Sequence, residues 1–234
     1  MPAQGNPQQI PSQLPFAHGG APLVRDRTPL VAASFVRTGR IYTLPTLTQE
    51  RLAGPILETV VTTTNPDGNV NCAAMGVEWG EQRIVIKPYR GTRTLRNLRA
   101  TGAAVVNLTD DILLFSQAAL GDPHPPTRTA ASVEGAILAD ACSWREVRVE
   151  AIDESEARAR ISTVVVGSGV GREFLGLNRA CHAVLEASIL ASRARLLEPG
   201  DIRAGLDRLQ VLVDKTAGPR EREAMAYVRS VVGD

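Results

Sequence analysis

Residues 57–79, LETVVTTTNPDGNVNCAAMGVEW, decide the fold. Two runs rich in Val and Thr, 57–64 and 70–79, flank Asn65, Pro66, Asp67 and Gly68. Branched side chains suit a pleated surface, and Asp-Gly between two such runs is a strong β-hairpin signal. Downstream, 84–87 reads as a third strand stopped by Pro88, and 104–108 as a fourth. Between them, Leu95 and Leu98 stand at helical spacing in 92–101, with Gly102 placed as a C-terminal cap. Asp110 and Asp111 can cap a helix running to about Leu120, and 121–128 is a proline-rich loop.

The middle third alternates. Val147, Val149 and Ala151 oppose Glu146, Arg148 and Glu150, while Ala157, Ala159 and Ile161 oppose Glu156, Arg158 and Arg160. This pattern predicts a second hairpin with one wet face. After Gly171 the spacing turns helical. One helix is expected over 172–197, and two more over 202–213 and 220–232, separated by Pro199 and Gly200. Strands first and helices last argue for an α+β fold. The expected organisation is a disordered Pro/Gln-rich tail over 1–33, a β domain over 34–170 and a C-terminal helical region over 171–234 packing on it. The first segment carries no charge before Arg25 and too little apolar surface to offset its ordering entropy.

Composition excludes several classes. The 26 Lys and Arg residues balance 25 Asp and Glu, so no global basic field points to nucleic acid. The longest apolar runs are strand-sized, too short to span a bilayer as a helix. Cys72, Cys142 and Cys181 form neither a CxxC pair nor an even disulfide framework, which predicts reduced thiols in a cytoplasmic protein.

Three features could carry chemistry. Around Lys87–Pro88–Tyr89–Arg90–Gly91–Thr92–Arg93–Thr94, a strand ends, Gly91 permits a tight turn and a threonine opens a helix. Free amides there, with Arg90 and Arg93, would cradle a phosphate; a Thr-capped surface helix bearing solvated Arg90, Arg93, Arg96 and Arg99 explains the same residues. Gly167, Gly169 and Gly171 imitate a dinucleotide loop, but their spacing and the helix that follows predict a hinge between β and helical parts. Asn178, His182 and Glu186 share one helix face, where a polar seam is favoured over a metal or proton-shuttle site. No hydrolase elbow is present, and no metal site is expected.

Read together, Glu58–Thr59–Val60–Val61–Thr62–Thr63, Asn71–Cys72–Ala73–Ala74–Met75–Gly76–Val77, Thr92–Arg93–Thr94 with Asn97–Leu98, Val105–Val106–Asn107–Leu108, Trp144–Arg145–Glu146–Val147 and the block from Leu177 to Ala187 resemble an FMN-binding split β-barrel family of archaea and one-carbon-metabolising bacteria. That family is related in fold to the flavin reductases. The resemblance implies a six-stranded antiparallel Greek-key barrel, a homodimer, and FMN near the dimer interface. It places Asn71, Ala73, Ala74 and Met75 beside the flavin ring, with close approach allowed by Ala73, Ala74 and Gly76. It places Arg90, Thr92, Thr94 and Asn97 at the phosphate, and gives Asn107 either a cofactor contact or a role in closing the barrel. The implied function is an FMN-dependent oxidoreductase of a small molecule, linked in some relatives to tetrahydromethanopterin-dependent one-carbon metabolism. A non-catalytic FMN store or redox sensor is the alternative. His182 is a catalytic candidate if its helix reaches the ring.

Overall fold

The computed structural model describes residues 34–37, 40–43 and 54–233. The tail expected over 1–33 lies outside the described residues. β1 (Ser34–Arg37) and β2 (Arg40–Thr43) pair with each other as a separate two-stranded sheet. They fall in the first of two compact units, which divide between Glu50 and Arg51. The strands of the barrel therefore come from Ile56 onward, not from residue 34.

The second unit is built on the hairpin of β3 (Ile56–Thr64) and β4 (Val70–Glu78). Its turn forms as the sequence dictates. The Gly68 N–H donates to the Asn65 carbonyl at 2.9 Å, Gly68 holds a left-handed φ of 84°, and the Asn69 N–H donates to Asn65 Oδ1 at 2.8 Å. With β5 (Arg83–Ile86), β6 (Ala103–Leu108), β9 (Ser143–Asp153) and β10 (Arg160–Val170), the hairpin closes an antiparallel barrel in the order β10-β5-β4-β3-β6-β9. The two short strands β7 (Thr127–Thr129) and β8 (Ala136–Leu138) pair outside it.

Pleating sends alternate residues inward. Val61, Val77, Ile84, Ile86, Val106, Val147 and Ile161 form the interior, and Leu95 and Leu98 of α1 (Arg93–Thr101) join the same cluster. Helix α1 thus plugs the barrel with its apolar edge, and fully burying each such side chain contributes about 1.5–3 kcal/mol. Outside the barrel, Val60 of β3 and Cys72 of β4 pack in a second cluster with α2 (Ile112–Leu120), α3 (Arg179–Ser192), α4 (Pro199–Thr216) and α5 (Pro219–Val232). The hairpin that opens the unit consequently carries both cores, one on each face. No helix among the described residues is long and apolar enough to cross a membrane.

Four expectations are corrected by packing. Gly167 and Gly169 are not a hinge; they lie within β10, opposite Glu146 and Trp144 of β9. A side-chain carbon at Gly169 would fall 2.1 Å from Cζ2 of Trp144, so the glycine makes room for the indole. Glu146, placed by alternation on a wet face, is 3 % exposed. It accepts from the Ser132 N–H at 2.5 Å and Trp144 Nε1 at 3.3 Å, which replaces its water. Residues 172–178 are not helical, because α3 begins only after its cap, Asn178. Gly176 (φ 108°) and the bonds from Arg172 to the Asp140 carbonyl and Asp110 carboxylate hold that stretch out of the helix. Finally, the loop expected over 121–128 runs into β7, whose pairing with the apolar triplet of β8 was not legible.

A candidate ligand cleft between the hairpin and helix α1

The turn at residues 89–92 sets the site. The Thr92 N–H donates to the Tyr89 carbonyl at 3.3 Å, and Gly91 takes a φ of 82° that other residues adopt with strain. Thr92 is then the N-cap of α1: its Oγ1 accepts from the Leu95 N–H at 3.4 Å and donates to the Tyr89 carbonyl at 2.8 Å. The Arg96 N–H closes the first turn on the Thr92 carbonyl. The amides of Arg93 and Thr94 have no partner within the helix, as at any helix start, and they aim positive partial charge outward.

Helix α1 is bound to the hairpin by a buried amide-hydroxyl network. Asn71 Nδ2 donates to Thr94 Oγ1 at 3.2 Å and lies 3.4 Å from Thr63 Oγ1, while Asn97 Nδ2 donates to Thr63 Oγ1 at 3.1 Å. Asn71, Thr94 and Asn97 are each at least nine-tenths buried. Burial forces these polar groups to satisfy one another, which fixes the helix start against β4.

Beside this network opens a cleft of about 560 Å³. Asn65, Asn69 and Asn71 of the hairpin line one wall, Arg93, Arg96 and Asn97 of α1 another, and Pro123, His124 and Pro125 a third. Arg93 is half exposed and pairs with Asp122 at 2.7 Å, and Arg96 Nη1 donates to the Gly91 carbonyl at 2.6 Å. Cys72 also lines the cleft, but burial, with Asp122 adding, pushes its thiol up to about 11. It is a neutral thiol at physiological pH, not a nucleophile.

The structure sorts the expected site residues. Asn71 and Asn97 line the cleft, Thr94 stands directly behind Asn71, and Thr92 caps the helix. Arg90 is exposed in the turn, where its N–H donates to the Ala157 carbonyl. The pleat divides the strand set: Met75 packs on the barrel interior and Ala74 on the helical cluster, so Ala73 and Met75 face away from Ala74. The space beside Gly76 is filled, since a Cβ there would meet Ile56 Cγ2 at 2.7 Å and Glu58 Oε1 at 3.0 Å. Asn107 is fully buried; Nδ2 donates to the Val60 carbonyl at 3.0 Å and Oδ1 accepts from the Leu138 N–H at 3.0 Å. These bonds tie β6 to its neighbour β3 and to β8 outside the barrel.

His182 is exposed on α3 and is not among the residues lining the cleft. Its neighbour Asn178 is occupied in capping α3, accepting from the Ala180 N–H at 2.7 Å. Glu186, one turn on, acts on Glu58, whose carboxyl is raised by burial and then by Glu186, with Arg158 opposing. Among the described residues no cluster of three His, Cys, Asp or Glu could hold a metal. Sequence reasoning missed His124, Asn65 and Asn69 as cleft residues. Their only signal was a proline-framed histidine and a turn, neither of which names a wall.

This fold has relatives. The fold matches that of an FMN-bound protein from Methanosarcina mazei, with a TM-score of 0.68 and 20% identity over 76% of this chain and 95% of the other. The styrene monooxygenase flavin reductase of Pseudomonas putida overlaps 50% of this chain and 80% of its own at 17% identity, with a TM-score of 0.44. The 2-nitrobenzoate 2-nitroreductase of Pseudomonas fluorescens overlaps 51% of this chain and 66% of its own at 21% identity, with a TM-score of 0.42. The family described as "Protein of unknown function (DUF447) N-terminal domain" matches residues 57–172, and its counterpart "Protein of unknown function (DUF447)" matches residues 178–230. Barrel and helical region together, this chain belongs to the DUF447 family.

Proposed function

We propose that this chain is an FMN-binding flavoprotein that holds the cofactor's phosphate in the cleft between the hairpin and α1, and that it acts as an oxidoreductase of a small molecule. The observation that carries the reading is the donor set. The guanidinium groups of Arg93 and Arg96 meet at one cleft with the start of α1, and no carboxylate is among its lining residues; Asp122 pairs with Arg93 at its edge, and the Nδ2 groups of Asn71 and Asn97 are engaged with Thr63 and Thr94. That chemistry suits a phosphate dianion. The same family includes an FMN-bound protein of matching fold. When bound, FMN supplies hydride or single-electron chemistry that no side chain here can supply. The residues of this chain bind and orient: Thr92 and Thr94 set the helix start, Asn71 and Asn97 lock it to β4, and Arg93 and Arg96 provide charge.

One observation favours the non-catalytic alternative, an FMN store or redox sensor. Apart from its arginines, the cleft offers only His124 and the neutral Cys72 as titratable groups. Homodimerisation belongs to the same proposal and draws support from Val170, Leu175 and Leu177, each more than 80% exposed in one short stretch. A cytoplasmic setting draws support from three unpaired cysteines. A tetrahydromethanopterin-linked substrate rests on family resemblance.

The absorption spectrum of the purified protein, before and after adding FMN, tests binding. A flavin band that survives gel filtration is expected; a colourless protein that takes up no FMN overturns the reading. Anaerobic reduction of the bound flavin by NADH or NADPH, then reoxidation by a candidate substrate, separates enzyme from store.

A further inference from the structure

The loop after α2 approaches the cleft with an unusual sequence, Asp122–Pro123–His124–Pro125–Pro126. Pro123, His124 and Pro125 line the same cleft as Arg93 and Arg96. Prolines on both sides restrict the backbone, so little entropy is lost in presenting the imidazole. The Arg93–Asp122 pair at 2.7 Å ties the loop to α1. A second, shallower hollow of about 350 Å³ behind the loop is lined by Leu114, Gln117 and Tyr227 as well as His124.

We infer that His124 is a third contact to the phosphate of the cleft's ligand and makes its binding depend on proton uptake. The inference rests on the flavin reading above and adds to it a residue and a pH response. The charged and titratable groups around the ring are Asp122 on its own loop, Arg93 and Arg96 on α1, Cys72 on β4 and Tyr227 on α5. A phosphate dianion drawn between these groups adds negative charge, which favours a proton on the imidazole. An imidazole changes charge between pH 5 and 8, so complex formation takes up a proton in that range. The sign follows: the bound state prefers the protonated ring, so this contribution to affinity is present at low pH and is lost as pH rises. The second ionisation of a phosphate ester, near pH ~6, acts in the opposite direction, because the dianion binds better. That effect is common to any variant, so only the difference between proteins isolates His124.

The experiment is calorimetric titration of the full chain and its His124→Gln variant with FMN and with riboflavin, at pH 6, 7 and 8, in two buffers of different ionisation enthalpy. His124 is exposed, so the variant is expected to fold. The wild type should gain over the variant at pH 6 by about tenfold in FMN affinity, the equivalent of one pKa unit of linkage, and lose that gain by pH 8. Its net proton uptake should exceed that of the variant, and riboflavin, lacking the phosphate, should not distinguish the two proteins. Equal FMN affinities and equal proton counts overturn the role of His124 while leaving flavin binding intact. Wild-type protein that binds FMN and riboflavin equally well overturns both the phosphate placement and this inference. Wild-type protein that binds neither overturns the flavin reading itself.

Discussion

Asn71 of β4 donates to Thr94 Oγ1 of α1 at 3.2 Å, inside a contact sealed from solvent. This bond makes the helix start and the strand wall one rigid body, so the arginines one residue before and two after Thr94 project from a fixed frame. Replacing Thr94 by Val keeps the volume and removes the acceptor. Asn71 would retain only its longer, 3.4 Å contact to Thr63. Urea denaturation should show a loss of about 1–3 kcal/mol, the cost of a buried donor left unpaired. An unchanged midpoint would mean that the network does not anchor the helix.

Arg93 is half exposed and pairs with Asp122 on the surface, so its loss should leave folding nearly unchanged. Its loss should show in the ligand. Arg93→Gln is expected to weaken FMN binding roughly tenfold or more, the worth of one charge-assisted hydrogen bond. Fluorescence titration measures it. An Arg93→Gln protein that binds FMN as tightly as the wild type would remove Arg93 from the phosphate site.

The indole of Trp144 occupies the space of a side chain at Gly169. Trp144 is also capped by the guanidinium of Arg128, 4.2 Å from the ring centroid, so it has little freedom to retreat. Gly169→Ala should cost about 1–3 kcal/mol by overpacking. Combined with Trp144→Leu, the two losses should be less than additive, because the smaller side chain makes room. Thermal melts of the two single variants and the double variant test this coupling; strict additivity would argue against it.

Glu78 accepts two bonds from Arg160 at 2.8 Å each and one from Lys87. Arg160 chiefly, and then Lys87, hold its carboxyl down at about 2 against the opposing effect of burial. The folded value lies below the unfolded one, near ~4.3 for Glu, so the stabilisation is complete above that pH. It is lost as pH falls toward 2. Glu78→Gln should therefore melt lower than the wild type at pH 6, and the gap should close progressively below pH 4. A gap that persists at pH 2 would show that packing, not charge, accounts for the difference.

Burial raises all three thiols, Cys72 and Cys181 to about 11. Iodoacetamide at pH 8 should modify the native protein far more slowly than the urea-unfolded chain, as read by mass spectrometry. Rapid native alkylation at Cys72 would show that the thiol wall of the cleft is more open than its packing implies.

Local chemistry was readable wherever a residue's role depended on its near neighbours in the chain. The Asn65–Gly68 turn, the Thr92 cap, the Asp111 cap of α2 and the apolar edge of α1 are all encoded within a few residues, because turns and caps satisfy backbone groups nearby. The arginine-rich helix start, legible as an anion cradle, does border the cleft. Roles that depend on distant partners were not readable. Glu146 is buried because Ser132 and Trp144 meet it with their N–H groups. Gly169 is a strand residue because an indole twenty-five positions earlier lies on it. His124, an unremarkable loop residue in one dimension, becomes a wall of the cleft once α1 and β4 are bound together.

What the amino-acid order determined by itself is therefore the α+β class, the opening hairpin and the capped helix that follows the third barrel strand. Only the tertiary structure decided which groups share the cleft and which are consumed elsewhere, as Asn107 is by Val60 and Leu138. The physical reason is desolvation. Closing the barrel removes water from the polar groups it covers, and most of them then take the partner that the fold brings within reach, the Thr64 hydroxyl being an exception. The near-neutral chain thereby gathers two arginines at one cleft beside the start of α1.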